Sequence, residues 1–293
     1  MIGSFECGRN PGIRSQSVAH AGRVKVPLRF RMKAHLVQLD IRWEDKRANY
    51  EQTRRLLTAA KPERGDLVVL PEMFDTGFSF RLEATADSDG ATLGFLSGLA
   101  KELGITIHGA RTIVGPDGRG RNCATVVGPD GVLICEFQKV HPFTLGKEVE
   151  YFTGGREVMT YPWMVGEQGL TVCPAVCYDL RFPELFRIGL LKGAEAYAIG
   201  ANWPSSREHH RYALSVARAI ENQAFVFSVN RCGKDPQLEY GGGTLAVGPR
   251  GDVLGQLGSA EGVLSVEVDV DDLRRWRRTF PAWKDHVLIG RTS

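Results

Sequence analysis

The sequence predicts an α/β fold in which two mixed β-sheets pack on each other between helical layers. Three observations carry this expectation. Strand-like apolar runs alternate with amphipathic helical stretches, hairpin turns interrupt that alternation in two places, and several runs are apolar on nearly every residue. Alternation places helices on the sheet faces, and hairpins make the sheets mixed. Strands with no polar face must be covered on both sides, which two stacked sheets achieve.

Taken in order, residues 1–31 stand apart, with six Arg or Lys, one acidic residue and no sustained period. They lack the continuous apolar segment of a secretory signal. They read as a basic, disordered extension, or as an upstream start preceding a natural one at Met32, in preference to a transit peptide. Organised pattern begins at Met32, and 32–293 reads as a single domain. "AHLVQLDI" (34–41) is a strand and 44–60 an amphipathic helix with its charge outward. "DLVVLPE" (66–72) is a short buried strand, 91–103 a helix and "ITIHGARTI" (105–113) another strand. Turns at Pro116-Asp117-Gly118 and Pro129-Asp130-Gly131 bracket "NCATVVG", and "VLICEFQ" follows, giving hairpin-linked strands. Residues 140–168, rich in Gly and aromatics, read as a long surface loop. Strand 169–176, helix 182–192, strand 196–200, helix 206–222 and strand 224–229 come next. The last quarter is mostly strands turning at Pro249-Arg250-Gly251, and it closes in the basic helix "DDLRRWRR".

Bulk properties exclude several classes. A hydrophobic content of 43% against 24% charged residues allows a large core. No apolar run approaches the roughly 18 to 20 residues of a spanning helix, so no membrane partner is expected. The net charge of +3, with no basic stripe interleaved with aromatics, does not suggest nucleic acid. The six cysteines, Cys7, Cys123, Cys135, Cys173, Cys177 and Cys232, lie scattered in apolar segments. That pattern fits reduced thiols in the cytoplasm better than a disulfide scaffold. Cys173 and Cys177 have no matching His or Cys pair, so no zinc site is expected.

Glu72, Lys139 and Cys177 each close an apolar strand and precede irregular chain. Strand carboxyl ends are where ligand crevices form in α/β sheets. Gathered there, an ammonium would lower a thiol's pKa, a carboxylate could move its proton, and the same ammonium could face an oxyanion. Taken singly, each has a plainer role: a loop carboxylate, a solvated strand end and a small buried hydrophobe.

The wording of the surrounding segments narrows the choice. "LPEMFDTGF" (70–78), "FQKVHPF" (137–143) and "CYDLRFPELF" (177–186) resemble the three catalytic blocks of the nitrilase superfamily of carbon–nitrogen hydrolases. The resemblance continues through "ANWPSSR" (201–207), "ARAIENQAFVFSVNRCG" (217–233) and "FPAWKD" (280–285), and it looks most like the omega-amidase branch. It implies a four-layer α-β-β-α sandwich, pairing as a homodimer, and covalent catalysis without metal or organic cofactor. Glu72 would be the general base, Lys139 the oxyanion-stabilising cation and Cys177 the nucleophile, with the Tyr178 backbone N–H as second oxyanion donor. A further glutamate of the family falls on Glu148, with Glu150 as the competing position. The implied substrate is the side-chain amide of a short 2-oxo acid such as 2-oxoglutaramate or 2-oxosuccinamate, and water is the second reactant. A nitrile, an N-carbamoyl compound or deaminated glutathione is the alternative within the same chemistry.

Around this set, Phe78 and Trp203, and with them Phe74, are candidates to line the pocket, and Arg207 to meet a substrate carboxylate. Asp179 and Arg181 read as a mutual pair or as a cap on helix 182–192. His141 and His210 are not needed as bases. Three positions depart from the branch pattern: Arg211 where an aromatic is usual, Thr244 where serine is more frequent, and the extra thiol Cys173.

Overall fold

A computed structural model of the chain describes residues 32–288, so the extension over 1–31 lies outside the described residues. The fourteen strands among these residues are β1 (Met32–Gln38), β2 (Leu67–Val69), β3 (Thr106–Val114), β4 (Gly120–Val127), β5 (Leu133–Gln138), β6 (Tyr161–Val165), β7 (Gln168–Val176), β8 (Ala196–Ala201), β9 (Phe225–Asn230), β10 (Cys232–Lys234), β11 (Glu239–Gly241), β12 (Leu245–Val247), β13 (Val253–Gln256) and β14 (Gly262–Val268). The helices are α1 (Lys46–Ala60), α2 (Leu82–Thr85), α3 (Ala91–Leu103), α4 (Glu148–Tyr151), α5 (Pro183–Leu191), α6 (Glu208–Asn222) and α7 (Val270–Thr279).

Two six-stranded mixed sheets result, in the orders β14-β1-β2-β3-β4-β5 and β13-β12-β9-β8-β7-β6. Each has three parallel strands at its centre, β1-β2-β3 and β7-β8-β9, flanked by antiparallel neighbours. The sheets face each other across one core in which Ala34, Leu36, Val126, Phe137, Trp163, Val172, Ala198 and Phe227 are all buried. On the outer face of the first sheet, α1 and α3 cover a second core of Val37, Val68, Leu70, Leu96 and Ile107. Strand β8 is buried along its whole length, which explains why its sequence shows no alternation.

The segment 140–168 corrects the sequence reading. It is no single loop: it contains α4 and the edge strand β6, which pairs antiparallel with β7. The "YPWMV" run does alternate, with Tyr161, Trp163 and Val165 inward. It is only five residues long and carries Pro162, a residue tolerated on an edge strand because no ladder hydrogen bond is required of its missing N–H.

Candidate active site

Glu72, Lys139 and Cys177 reach one place by three routes. Glu72 lies three residues beyond β2, just before the left-handed Met73 (φ 44°). Its backbone is tucked against β8 so closely that a side chain on Gly200 would stand 2.8 Å from the Glu72 nitrogen and 2.7 Å from the Leu70 oxygen. Lys139 is the first residue after β5, and Gly155 N–H donates to its carbonyl at 2.8 Å. Cys177 follows β7 directly and opens a 3₁₀ turn over Cys177–Arg181. Its φ of 44° lies in the left-handed region, a conformation costly for a residue with a Cβ.

That elbow is held from below. The buried Asp179 accepts from Val176 N–H at 3.0 Å, and from the backbone N–H and ring Nδ1 of His141 at 2.9 and 2.8 Å. Arg218 reaches across from α6 and donates twice to the Leu180 carbonyl. Asp179 therefore staples the chain after Lys139 to the turn that presents Cys177. It neither pairs with Arg181 nor caps α5, whose first turn has no side-chain cap. The sequence reading missed this because a contact between residues 38 apart leaves no local pattern.

Lys139 is 1% exposed, and its ammonium donates to Glu72 Oε1 and Glu148 Oε2, both at 2.8 Å. Glu148, at the start of α4, is buried, whereas Glu150 on the same turn is exposed. Of the two competing glutamates, only Glu148 stands in this cluster. Asn122 on β4 donates through its amide nitrogen to Glu72 Oε1 at 2.8 Å and to Glu148 Oε1 at 3.0 Å. Phe143 N–H donates to Glu148 Oε2 at 2.6 Å. Asn202 donates its backbone N–H to Glu72 Oε2 at 3.0 Å and its side-chain amide to the Glu72 carbonyl at 2.7 Å. Neither asparagine was singled out from sequence, because an Asn in an apolar strand reads as an ordinary polar interruption. The buried oxygens Asn122 Oδ1 and Asn202 Oδ1 have no protein partner among the described residues.

The charges settle accordingly. Burial alone would raise the Glu72 carboxyl, but the Lys139 ammonium, by charge and hydrogen bond, together with Asn202 N–H and Asn122, holds it below the usual carboxylate range. Burial would lower Lys139, yet Glu148 and Glu72 keep it protonated well above the ordinary lysine value. Glu148 is pushed up by burial and by the charge of Glu72, against the pull of Lys139. Cys177 departs from the expected lowering. Burial first, then the negative charge of Glu72, push its thiol well above its ordinary value, outweighing Lys139. One ammonium shared between two carboxylates leaves no net positive field for the sulfur. In the resting site the neutral thiol's Sγ donates to the Asn202 carbonyl at 3.8 Å, and the Glu72 carboxylate stays ionised.

Cys177, half-buried, opens onto a cleft of about 420 Å³ including its mouth. Phe78, Trp203 and Tyr240 form aromatic walls, and Arg181 and Arg207 bring guanidinium groups to it. Arg207 lies 5.7 Å from the Phe143 ring centre and Arg181 4.8 Å from that of Trp203. Phe74 is elsewhere, in the helix-covered core against Tyr50 and Phe95. His210 is exposed and its Nδ1 stands 3.3 Å from Arg181 Nη2.

The carbon–nitrogen hydrolase family model matches residues 33–278. The chain belongs to the carbon–nitrogen hydrolase family. This carbon–nitrogen hydrolase is 34% identical to the 2-oxoglutaramate amidase of Bacillus subtilis, over 76% of this chain and 85% of that protein. It is 32% identical to the omega-amidase YafV of Yersinia enterocolitica, over 87% and 96% respectively. Among solved structures it is similar to XC1258 of Xanthomonas campestris, a superfamily member with an arsenic adduct in its active site. That match has a TM-score of 0.80 and 33% identity, covering 89% of this chain and 99% of the other. The hydrolase thus acts on carbon–nitrogen bonds other than peptide bonds, on a four-layer α-β-β-α sandwich. Among the described residues no group of three or more His, Cys, Asp or Glu is arranged to hold a metal ion, and no helix is long and apolar enough to cross a membrane.

Proposed function

We propose that this hydrolase releases ammonia from the side-chain amide of a short 2-oxo acid, 2-oxoglutaramate or 2-oxosuccinamate, through a thioester on Cys177. The observation that carries the reading is the placement of Lys139 between Glu72 and Glu148 at 2.8 Å each, beside Cys177 at a cleft. Because the thiol is neutral and Glu72 ionised, deprotonation accompanies attack. Glu72 takes the thiol proton as sulfur bonds to the amide carbon. The oxygen that gains the electron pair is met by the Lys139 ammonium and the Tyr178 N–H. Collapse breaks the C–N bond, and Glu72 returns its proton to the departing nitrogen, giving ammonia. Water, deprotonated by the same carboxylate, then attacks the thioester, and the carboxylate product leaves with the thiol restored. Glu148 and Asn122 keep Lys139 and Glu72 in register throughout.

Substrate class draws on the relatives named for 2-oxoglutaramate and omega-amides, and on the two arginines lining a cleft that five aromatic residues also line. Arg207, with Arg181 beside it, meets the substrate carboxylate as a bidentate donor. The molecule works in the cytoplasm as a homodimer, formed on the helical face where Ile188, Tyr212 and Ile220 are exposed; light scattering tests the dimer. Ammonia release is measured with 2-oxoglutaramate, 2-oxosuccinamate, glutamine and a simple nitrile. The two oxo acid amides are expected to dominate, and equal or better turnover of glutamine or the nitrile overturns the assignment.

A further inference from the structure

We infer that Arg211, which does not line the cleft, fixes its Trp203–Tyr240 wall and thereby sets how tightly and how selectively the acyl chain of the substrate is held. This rests on the reading that the cleft binds an amide's acyl chain.

Arg211 lies in the first turns of α6 and is completely buried. Its Nε and Nη2 fork onto Glu208 at 3.1 and 2.6 Å. Its Nη1 donates to the carbonyl and hydroxyl of Ser228 on β9 at 3.2 and 2.9 Å. Nη2 also reaches the carbonyls of Gly242, at 3.4 Å, and Gly243. All three guanidinium nitrogens are therefore engaged. The two glycines are consecutive left-handed residues, φ 71° and 73°, and begin directly after β11, whose Tyr240 forms one wall of the cleft. A side chain on Gly243 would stand 2.5 Å from Glu208 Oε1 and 3.0 Å from Arg211 Nη2, so the ion pair is seated against the turn itself.

The Trp203 side hangs from the same point. Asn230 donates to the Gly242 carbonyl at 2.9 Å and to the Trp203 carbonyl at 3.0 Å, and its side-chain oxygen accepts from Trp203 N–H at 2.8 Å. Gly242 O is thus shared between Arg211 and the residue that anchors Trp203. Two adjacent glycines are the freest backbone in the cleft's surround, and an apolar side chain could fill the space behind them without constraining it. A buried ion pair is weak support for stability alone. The directional bonds of a saturated guanidinium do what packing cannot: they leave the turn a single arrangement and hold both aromatic walls at one spacing.

The test measures three quantities in Arg211→Met and in Glu208→Gln. These are KM and kcat on the wild type's best amide, the ratio of kcat/KM for 2-oxosuccinamate to that for 2-oxoglutaramate, and the rate of Cys177 alkylation by iodoacetamide. Arg211→Met is expected to raise KM about tenfold or more and shift the chain-length ratio at least about threefold, with kcat and the alkylation rate within about threefold of wild type. Unchanged KM with an unchanged ratio overturns the inference, and so does a fall in kcat and alkylation rate with KM constant. Glu208 is partly exposed, and Glu208→Gln keeps the side chain's size while turning one of the fork's two acceptors into a donor, so it covers the outcome in which Arg211→Met does not fold. It should move KM and the ratio in the same direction by about threefold, and a folded Glu208→Gln with wild-type values of both overturns the inference. A wild type inactive on both 2-oxo acid amides fails the functional reading instead, and the wall is then judged on KM and on the ratio between two chain lengths of the amide that is turned over.

Discussion

Two clusters of buried charge in this hydrolase are built to opposite rules. Around Lys139, one ammonium serves two carboxylates, and the group opens onto a cleft. Around Arg211, one guanidinium faces one carboxylate, and every guanidinium nitrogen has an acceptor. The first leaves an ionised carboxylate, a fixed ammonium and a neutral thiol at an opening. The second has nothing left to offer a ligand and serves only to hold shape. Burial of charge is common to both, so burial by itself does not mark a reacting site; one cation shared by two carboxylates beside an opening sets this one apart.

The sharpest break in that comparison is Cys177→Ala. Removal of the nucleophile should lower ammonia release by at least about 10⁴-fold with the fold intact by circular dichroism. Retention of more than about a tenth of wild-type turnover would remove the thioester route. Glu72→Gln should cost about 10² to 10⁴ in kcat and slow alkylation of Cys177 by iodoacetamide, since no carboxylate remains to take the thiol proton. Alkylation at the wild-type rate would show that Glu72 is not the base. Glu148→Gln should cost about 10- to 100-fold in kcat, because Lys139 loses one of its two charged anchors, and it should lower thermal stability as well. The reason is that Glu148 and Glu72 together hold the buried Lys139 ammonium, and removing one carboxylate leaves that charge under-compensated. Wild-type stability in Glu148→Gln would contradict that.

The pH dependence sharpens the same contrast. Glu72 is held below its ordinary value, so its ionisation stabilises the fold above that value, and this stability is lost as pH falls through the lower, folded-state value. The acid limb of kcat/KM should accordingly lie below about pH 4.3. The thiol is raised, so no limb belonging to Cys177 should appear up to about pH 8.5. A half-maximal rate near neutrality would sink the assigned ionisation. The smallest effect belongs to the cleft: Arg207→Ala should raise KM for an anionic amide about tenfold, with kcat within about threefold. An equal rise in KM for a neutral amide would show that Arg207 does not meet the carboxylate.

Strand ends and their residue types made Glu72, Lys139 and Cys177 legible in the sequence. The match of whole segments pointed to the chemistry, because the three residues sit in short stretches that resemble the family's blocks as units. Likewise the uniformly apolar runs required two stacked sheets, since a strand without a polar face has no place at a surface. Tertiary structure decided what depends on residues far apart in the chain. Glu148 rather than Glu150 faces Lys139 because α4 turns one side inward. Asp179 staples His141 to the elbow, and Asn122 and Asn202 complete the carboxylate cage. Even the thiol's ionisation was out of reach of sequence. Its sign depends on how many opposite charges share one low-dielectric site, and counting them requires knowing which side chains arrive there.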